Sequence, residues 1–441
     1  MSELQKSFAK ARLARLPPEP PPLFDDLDNE RDAQATHLHQ DGGHDDDSSS
    51  ASSASSTGTV VPSPSKNLFA RGYVSETEAD VPFSLPLIRK PPMTGPQALS
   101  WTEFYSQELF LEEDVDGIHI VHHAYLTPPA DKGPLFVMHH GAGSSGLSFA
   151  CCAEEIRKIL PKAGILSVDA RNHGDTTLSA REGDGPVEMD LRLETLSRDL
   201  VFVVRETQSK MGWETLPDLV LVGHSLGGAV VTDVAKKGEL GSKVLAYAVL
   251  DVVEGSAMDA LKSMEKYLQT RPTRFPSLAS GIEWHTRSRT IRNSYSARVS
   301  VPSLLREEED PEDPSKPWVW RTNLAETKPF WENWFVGLSK KFLEARGGKL
   351  LLLAGTDRLD KELMIGQMQG KYQLQVLPEA GHFIHEDQPA RTAQILVDFY
   401  KRNDRSALVL PPKVGDMKAT AAMEKGAGAG SPTPFKKPPF P

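Results

Sequence analysis

The chain has 441 residues, 39% of them hydrophobic, and a formal charge of -10. That is enough chain for a large core, with a charge balance that argues against nucleic acid or an anionic membrane as the main partner. No run of eighteen apolar residues occurs and the N-terminal segment lacks a signal-peptide core, so a soluble chain is expected, cytoplasmic, compatible with the nucleus and not secreted.

Residues 1–66 combine prolines, acidic clusters and the serine-rich run 48–56, and residues 411–441 are rich in glycine, alanine and proline. Both are expected to be disordered tails around a single domain, 67–410. Within that domain strand-like and helix-like segments alternate, the pattern of a mostly parallel sheet with helices on both faces. Residues 118–125 suit an early, partly exposed strand. Buried strands are expected at 135–138, running into His139-His140-Gly141-Ala142-Gly143, and at 164–168, running into the segment 169–174. Cys151 and Cys152 lack disulfide or metal-ligand spacing and read as small buried apolar residues. The charged segment 187–210 reads as a helix. Further buried strands follow at 219–222, 244–250, 349–354 and 373–377, and 390–402 makes a final amphipathic helix. The interval 255–345 is too long for one crossover and implies an inserted cap. In it, 258–268 is expected to be helical, Pro272 and Pro276 to break that helix, and the acidic run 307–313 to be a mobile loop. Its aromatics, Trp318, Trp320, Phe330, Trp331, Trp334 and Phe335, either glue the cap to the sheet or line a substrate groove.

The chemistry concentrates at Gly223-His224-Ser225-Leu226-Gly227, a G-x-S-x-G string between an apolar strand and a helix-compatible run. A serine on so sharp a turn is held clear of the sheet, at the positive end of the following helix. Ser225 is therefore the expected nucleophile of an acyl-transfer site. Such a site also needs a base, an acid to orient the base and donors for the oxyanion. His382 follows the last strand after a glycine and is the expected base, ahead of His385 and His224; His139, His140 and His173 read as structural. Two aspartates could be the acid: Asp357, after the strand at 349–354, is favoured by position, and Asp251, after the preceding strand, is the alternative. The backbone N–H groups of Ala142 and Leu226 are the expected oxyanion donors. No metal or organic cofactor is required. The succession of segments and motifs is that of an α/β-hydrolase.

These residues resemble the protein phosphatase methylesterases. The resemblance spans residues 101–399 and rests on the 140–143 loop, the elbow extended to Gly228, and Asp251-Val-Val-Glu-Gly-Ser-Ala-Met-Asp-Ala-Leu261. It continues through Ile291-Arg-Asn293, Ser296-Ala-Arg-Val-Ser300, Asp357-Arg-Leu-Asp360, Ile365-Gly-Gln-Met-Gln-Gly370 and Gly381-His382. It implies an enzyme that removes the methyl ester from the C-terminal leucine of type 2A serine/threonine phosphatase catalytic subunits. The triad it implies is Ser225, Asp251 and His382, which reverses the positional preference for Asp357. Ala142 stands where the family's oxyanion loop often has the middle of three glycines. The implied partner is the phosphatase catalytic subunit, through its tail and its folded surface, met by a monomer. The rival readings are a general small-molecule carboxylesterase and a non-catalytic phosphatase inhibitor or scaffold.

Overall fold

The computed structural model describes residues 95–181, 187–355 and 359–404. Both expected tails, and Asp357 with them, lie outside the described residues. The first strands are an antiparallel hairpin, β1 (Gln107–Val115) and β2 (Ile118–Thr127). Asp116 and Gly117, both at positive φ, form the two-residue turn between them. β1 was not expected from the sequence, although alternating residues before an Asp-Gly pair are its signal. The C-terminal half of β2 is buried rather than partly exposed, because both its faces enter a core, Ala124 and Leu126 on one side and Tyr125 on the other.

Short, wholly apolar runs build the centre. β3 (Leu135–His139) leads into helix α1 (Ala150–Ile159), and β4 (Gly164–Val168) is followed by the short β5 (Thr177–Ala180) on the edge of β2. Helix α2 (Leu193–Lys210) starts later than the expected 187. The Asp190 carboxylate accepts the Arg192 N–H at 3.0 Å, a local turn that competes with helix before that point. Next come β6 (Leu219–His224), α3 (Leu226–Lys237) and β7 (Val244–Leu250).

The long insertion then unfolds as α4 (Glu254–Thr270), β8 (Arg274–Phe275), α5 (Leu278–Arg287), α6 (Ser294–Ser300), β9 (Leu305–Glu307), β10 (Trp318–Trp320), α7 (Trp331–Phe335) and α8 (Leu338–Glu344). β10 sits between β8 and β9 in a small antiparallel sheet of its own. The acidic run is tied down near both ends, where Arg274 pairs with Glu308 at 2.6 Å and Glu312 at 3.3 Å. The chain returns through β11 (Gly348–Leu353), α9 (Lys361–Met368), β12 (Gln373–Val376), α10 (Ile384–Asp387) and α11 (Pro389–Asn403).

The large sheet runs β1-β2-β4-β3-β6-β7-β11-β12, parallel from β4 onward. Because strand side chains alternate, each apolar strand feeds two cores. Val137, Leu221, Val249 and Leu351 pack under α2, α3, α7 and α8, whereas Met138, Val222, Ala248 and Leu352 pack under α1 and α11. Each fully buried leucine or valine contributes about 1.5–3 kcal/mol relative to exposure. Cys151 and Cys152 are buried on α1 as small core residues.

Candidate active site

β6 ends in the elbow, and Ser225 takes φ 50 and ψ -119, a strained conformation for a residue with a Cβ. Glycines make the turn possible. A methyl on Gly223 would overlap the Gly227 carbonyl, and one on Gly227 would overlap the carbonyls of His139 and His140. The Ser225 N–H donates to Leu250 at the end of β7 (3.0 Å), which ties the elbow to the neighbouring strand.

Asp251 follows that strand at once, also at positive φ, with its carboxylate fully buried. One oxygen accepts the Ala354 N–H at 2.9 Å and the other lies 2.9 Å from His382 Nδ1. The structure thus brings together Asp251 and His382. The imidazole keeps a 14% exposed face, and its main-chain carbonyl accepts from His224 Nε2 at 2.9 Å. His224 therefore points inward, away from the cleft, and burial with His382 nearby pushes its pKa down to about 3. His385 is wholly buried, stacked on Phe149 with ring centroids 4.2 Å apart, and cannot be the base. Among the described residues no hydrogen bond joins the Ser225 hydroxyl to His382: the acid–base half of the array is closed and the base–nucleophile half open. Such bonds often tighten only around substrate.

The loop after β3 approaches the nucleophile so closely that a methyl on Gly141 would stand 3.0 Å from Ser225 Cβ. The Ala142 N–H makes no backbone hydrogen bond among the described residues, and the Leu226 N–H opens α3, where helix geometry leaves it without an internal acceptor. Three imidazoles hold this loop. His139 Nδ1 donates to the His140 carbonyl (2.9 Å) and His140 Nδ1 to the Gly141 carbonyl (2.7 Å), while His140 Nε2 accepts from Ala170 N–H (3.0 Å). His173 Nε2 accepts the Gly143 N–H at 2.9 Å, its Nδ1 donating to Arg171. His140 and His173 must be neutral to serve both roles, and burial lowers all three pKa values, that of His139 to about 4. The structural role expected of all three rests on these bonds.

The cap aromatics are packing residues more than a groove. Trp331, Trp334 and Phe335 are buried in the core beneath α2 and α3. Their indole N–H groups end internally, Trp331 on Thr327 and Trp334 on the Leu191 carbonyl, both at 2.7 Å. Trp318 and Trp320 join Phe275 and Ile282 in a separate cap core that also takes Phe383, the neighbour of His382. Among the described residues, two groups carry enough donors for a metal: Glu113, His122, Asp199; and His123, Asp169, Asp175. Neither includes Ser225, Asp251 or His382. Arg171 already grips both oxygens of Asp199, and Asp169 accepts from Gly146, Asp175 and His123.

The alpha/beta hydrolase family profile matches residues 136–395. Protein phosphatase methylesterase 1 of Aspergillus oryzae is 74% identical over 435 residues, covering 99% of this chain and 98% of the relative. The chain belongs to the protein phosphatase methylesterase family. The Aspergillus fumigatus relative of that name is 70% identical, over 98% of this chain and 96% of its own. Among solved structures, E-2-(acetamidomethylene)succinate hydrolase shares the fold at 16% identity with a TM-score of 0.52, covering 67% of this chain and all of that one. This methylesterase-family chain is a hydrolase, and no helix among its described residues is long and apolar enough to cross a membrane.

Proposed function

We propose that the protein is a serine methylesterase that hydrolyses the methyl ester on the C-terminal leucine of type 2A serine/threonine phosphatase catalytic subunits. The observation that carries this reading is the hydrogen-bonded Asp251–His382 pair beside the strained Ser225 elbow, in a chain whose relatives are named for that activity. His382 Nε2 takes the Ser225 proton as Oγ bonds to the ester carbonyl carbon, and the negative charge on the carbonyl oxygen meets the N–H groups of Ala142 and Leu226. The tetrahedral intermediate expels methoxide, which receives the proton from His382 and leaves as methanol. Water, deprotonated by His382, then attacks the acyl-enzyme; collapse returns the proton to Ser225 and frees the leucine carboxylate. Asp251 keeps Nδ1–H facing away from the nucleophile throughout, so that Nε2 is the basic nitrogen.

A methyl ester offers little surface for recognition, so discrimination falls to the protein partner. α9 starts at the sheet end where Ala354 meets Asp251, and it exposes Met364 (47%), Ile365 (45%) and Met368 (88%), an apolar face suited to a folded phosphatase surface. The reading carries with it a cytoplasmic monomer, compatible with the nucleus, without metal or organic cofactor, in a domain of residues 67–410 with its cap at 255–345. Mass spectrometry of the phosphatase C-terminus, before and after incubation, tests it. Loss of one methyl group is expected with the wild type and, with Ser225→Ala, a drop of about a millionfold in rate. Equal demethylation by folded Ser225→Ala protein would exclude the mechanism.

A further inference from the structure

One buried carboxylate beside the site has no part in the reaction above. Asp387 ends α10 with its side chain only 1% exposed. Its Oδ2 accepts the N–H of Gly381 at 2.7 Å and its Oδ1 the N–H of Arg292, also at 2.7 Å. Gly381 immediately precedes His382, whereas Arg292 belongs to the insertion, just ahead of Asn293, which caps α6. The connection runs both ways: the Arg292 guanidinium donates to the Glu379 carbonyl at 3.0 Å, and its Nε lies 3.9 Å from Asp387. Space around the junction is tight, since a Cβ on Gly381 would stand 3.1 Å from Arg292 Nε and 3.2 Å from Asp387 Oδ2.

The main chain of His382 is therefore gripped on both sides. Asp387 holds the N–H of the preceding residue, Gly381, and His224 Nε2 holds its own carbonyl. Hydrogen bonds to an ionised carboxylate are short and strong, and this one is out of water, so it acts as a rigid bridge between two segments that are 95 residues apart. Burial raises the Asp387 carboxyl above its ordinary value, against the two N–H donors and Arg292, which favour the charged form. Resting on the triad reading, we propose that Asp387 is a positioning residue that latches the His382 loop to the cap, so that the seating of the cap sets where the imidazole stands relative to Ser225. The bridge has leverage because displacement of a reacting group by about 1 Å can cost roughly a hundredfold in rate.

Asp387→Asn keeps the shape but turns one acceptor towards a donor. Its kcat and KM are to be measured on a small aryl ester, with active sites counted by fluorophosphonate labelling of Ser225 and folding followed by thermal melting. Labelling of the wild type in the same titration reports on the triad itself, which separates a failed latch from a failed catalytic reading. The expected result is kcat per labelled site lower by about tenfold or more with KM little changed, the pattern of a misplaced base. A variant that melts lower yet keeps wild-type kcat per labelled site would show a merely structural carboxylate and overturn the proposal. Should the Asn variant not fold, Arg292→Ala removes the guanidinium's hydrogen bond to Glu379 and its charge beside Asp387, while keeping the main-chain N–H that Asp387 accepts. There kcat should fall about threefold at constant KM, in line with one lost hydrogen bond, and an unchanged kcat would overturn the latch.

Discussion

Two loops converge on Ser225 and are fastened by opposite chemistry. The loop after β3 hangs from uncharged imidazoles, His140 and His173, each donating through one nitrogen and accepting a main-chain N–H through the other. The loop after β12 hangs from carboxylates: Asp251 holds the His382 ring, and Asp387 the N–H of Gly381 just before it. The difference follows from what each must present. An oxyanion hole gains nothing from a nearby fixed negative charge, so its supports are neutral; a base that becomes an imidazolium is stabilised by an anion behind it.

Replacing the carboxylate at the base is the harshest test of that contrast. Asp251→Asn should lower kcat by about ten thousandfold with the fold retained, because the amide favours the wrong tautomer of His382. Asp357→Asn should leave turnover nearly intact, and the reverse ranking in steady-state assays would move the acid to Asp357. A region outside both loops gives the control. Met368→Asp on α9 should weaken turnover of the whole phosphatase about tenfold, the scale of one apolar anchor, and leave a small aryl ester untouched; equal losses on both substrates would remove α9 from partner recognition. The smallest effect belongs to the imidazole side. His173→Ala should destabilise the protein by about 1 kcal/mol through the lost Gly143 bond. Burial lowers the folded-state pKa of His173 below its ordinary value of 6.5. The unfolded chain therefore takes up a proton first as pH falls. The wild type's advantage in thermal melting should be complete above pH 6.5 and shrink as pH drops below it; an advantage that grows in acid would contradict a neutral imidazole.

The contrast also shows what could be read in advance. The apolar runs at β3, β4, β6, β7 and β11 and the glycine spacing around Ser225 are local patterns, and the structure agrees with them to within a residue or two. The choice between acids was not local. Asp251 faces His382 because β7 and β11 pair in a register that sets Leu250 beside Leu352 and Ala354 N–H against the carboxylate; position along the chain alone pointed to Asp357. Resemblance pointed to Asp251, which spacing did not favour. Asp387 was invisible for the same reason, since its partner Arg292 is brought to it only by the folded insertion. The aromatics of the insertion were ambiguous because an indole that anchors and one that lines a groove look alike until the N–H partner is known, and here Thr327 and Leu191 are those partners.

The bare backbone at Gly223 and Gly227 acts as a spacing gauge. With no Cβ on either residue, strand and helix settle one atomic layer closer than any alanine would permit, and the Leu226 amide is carried to its working depth by that approach. An amide set in this way owes its position to two missing methyl groups. Side-chain variation elsewhere in the elbow can retune it, whereas adding a single carbon at either glycine would lift the whole helix off its mark.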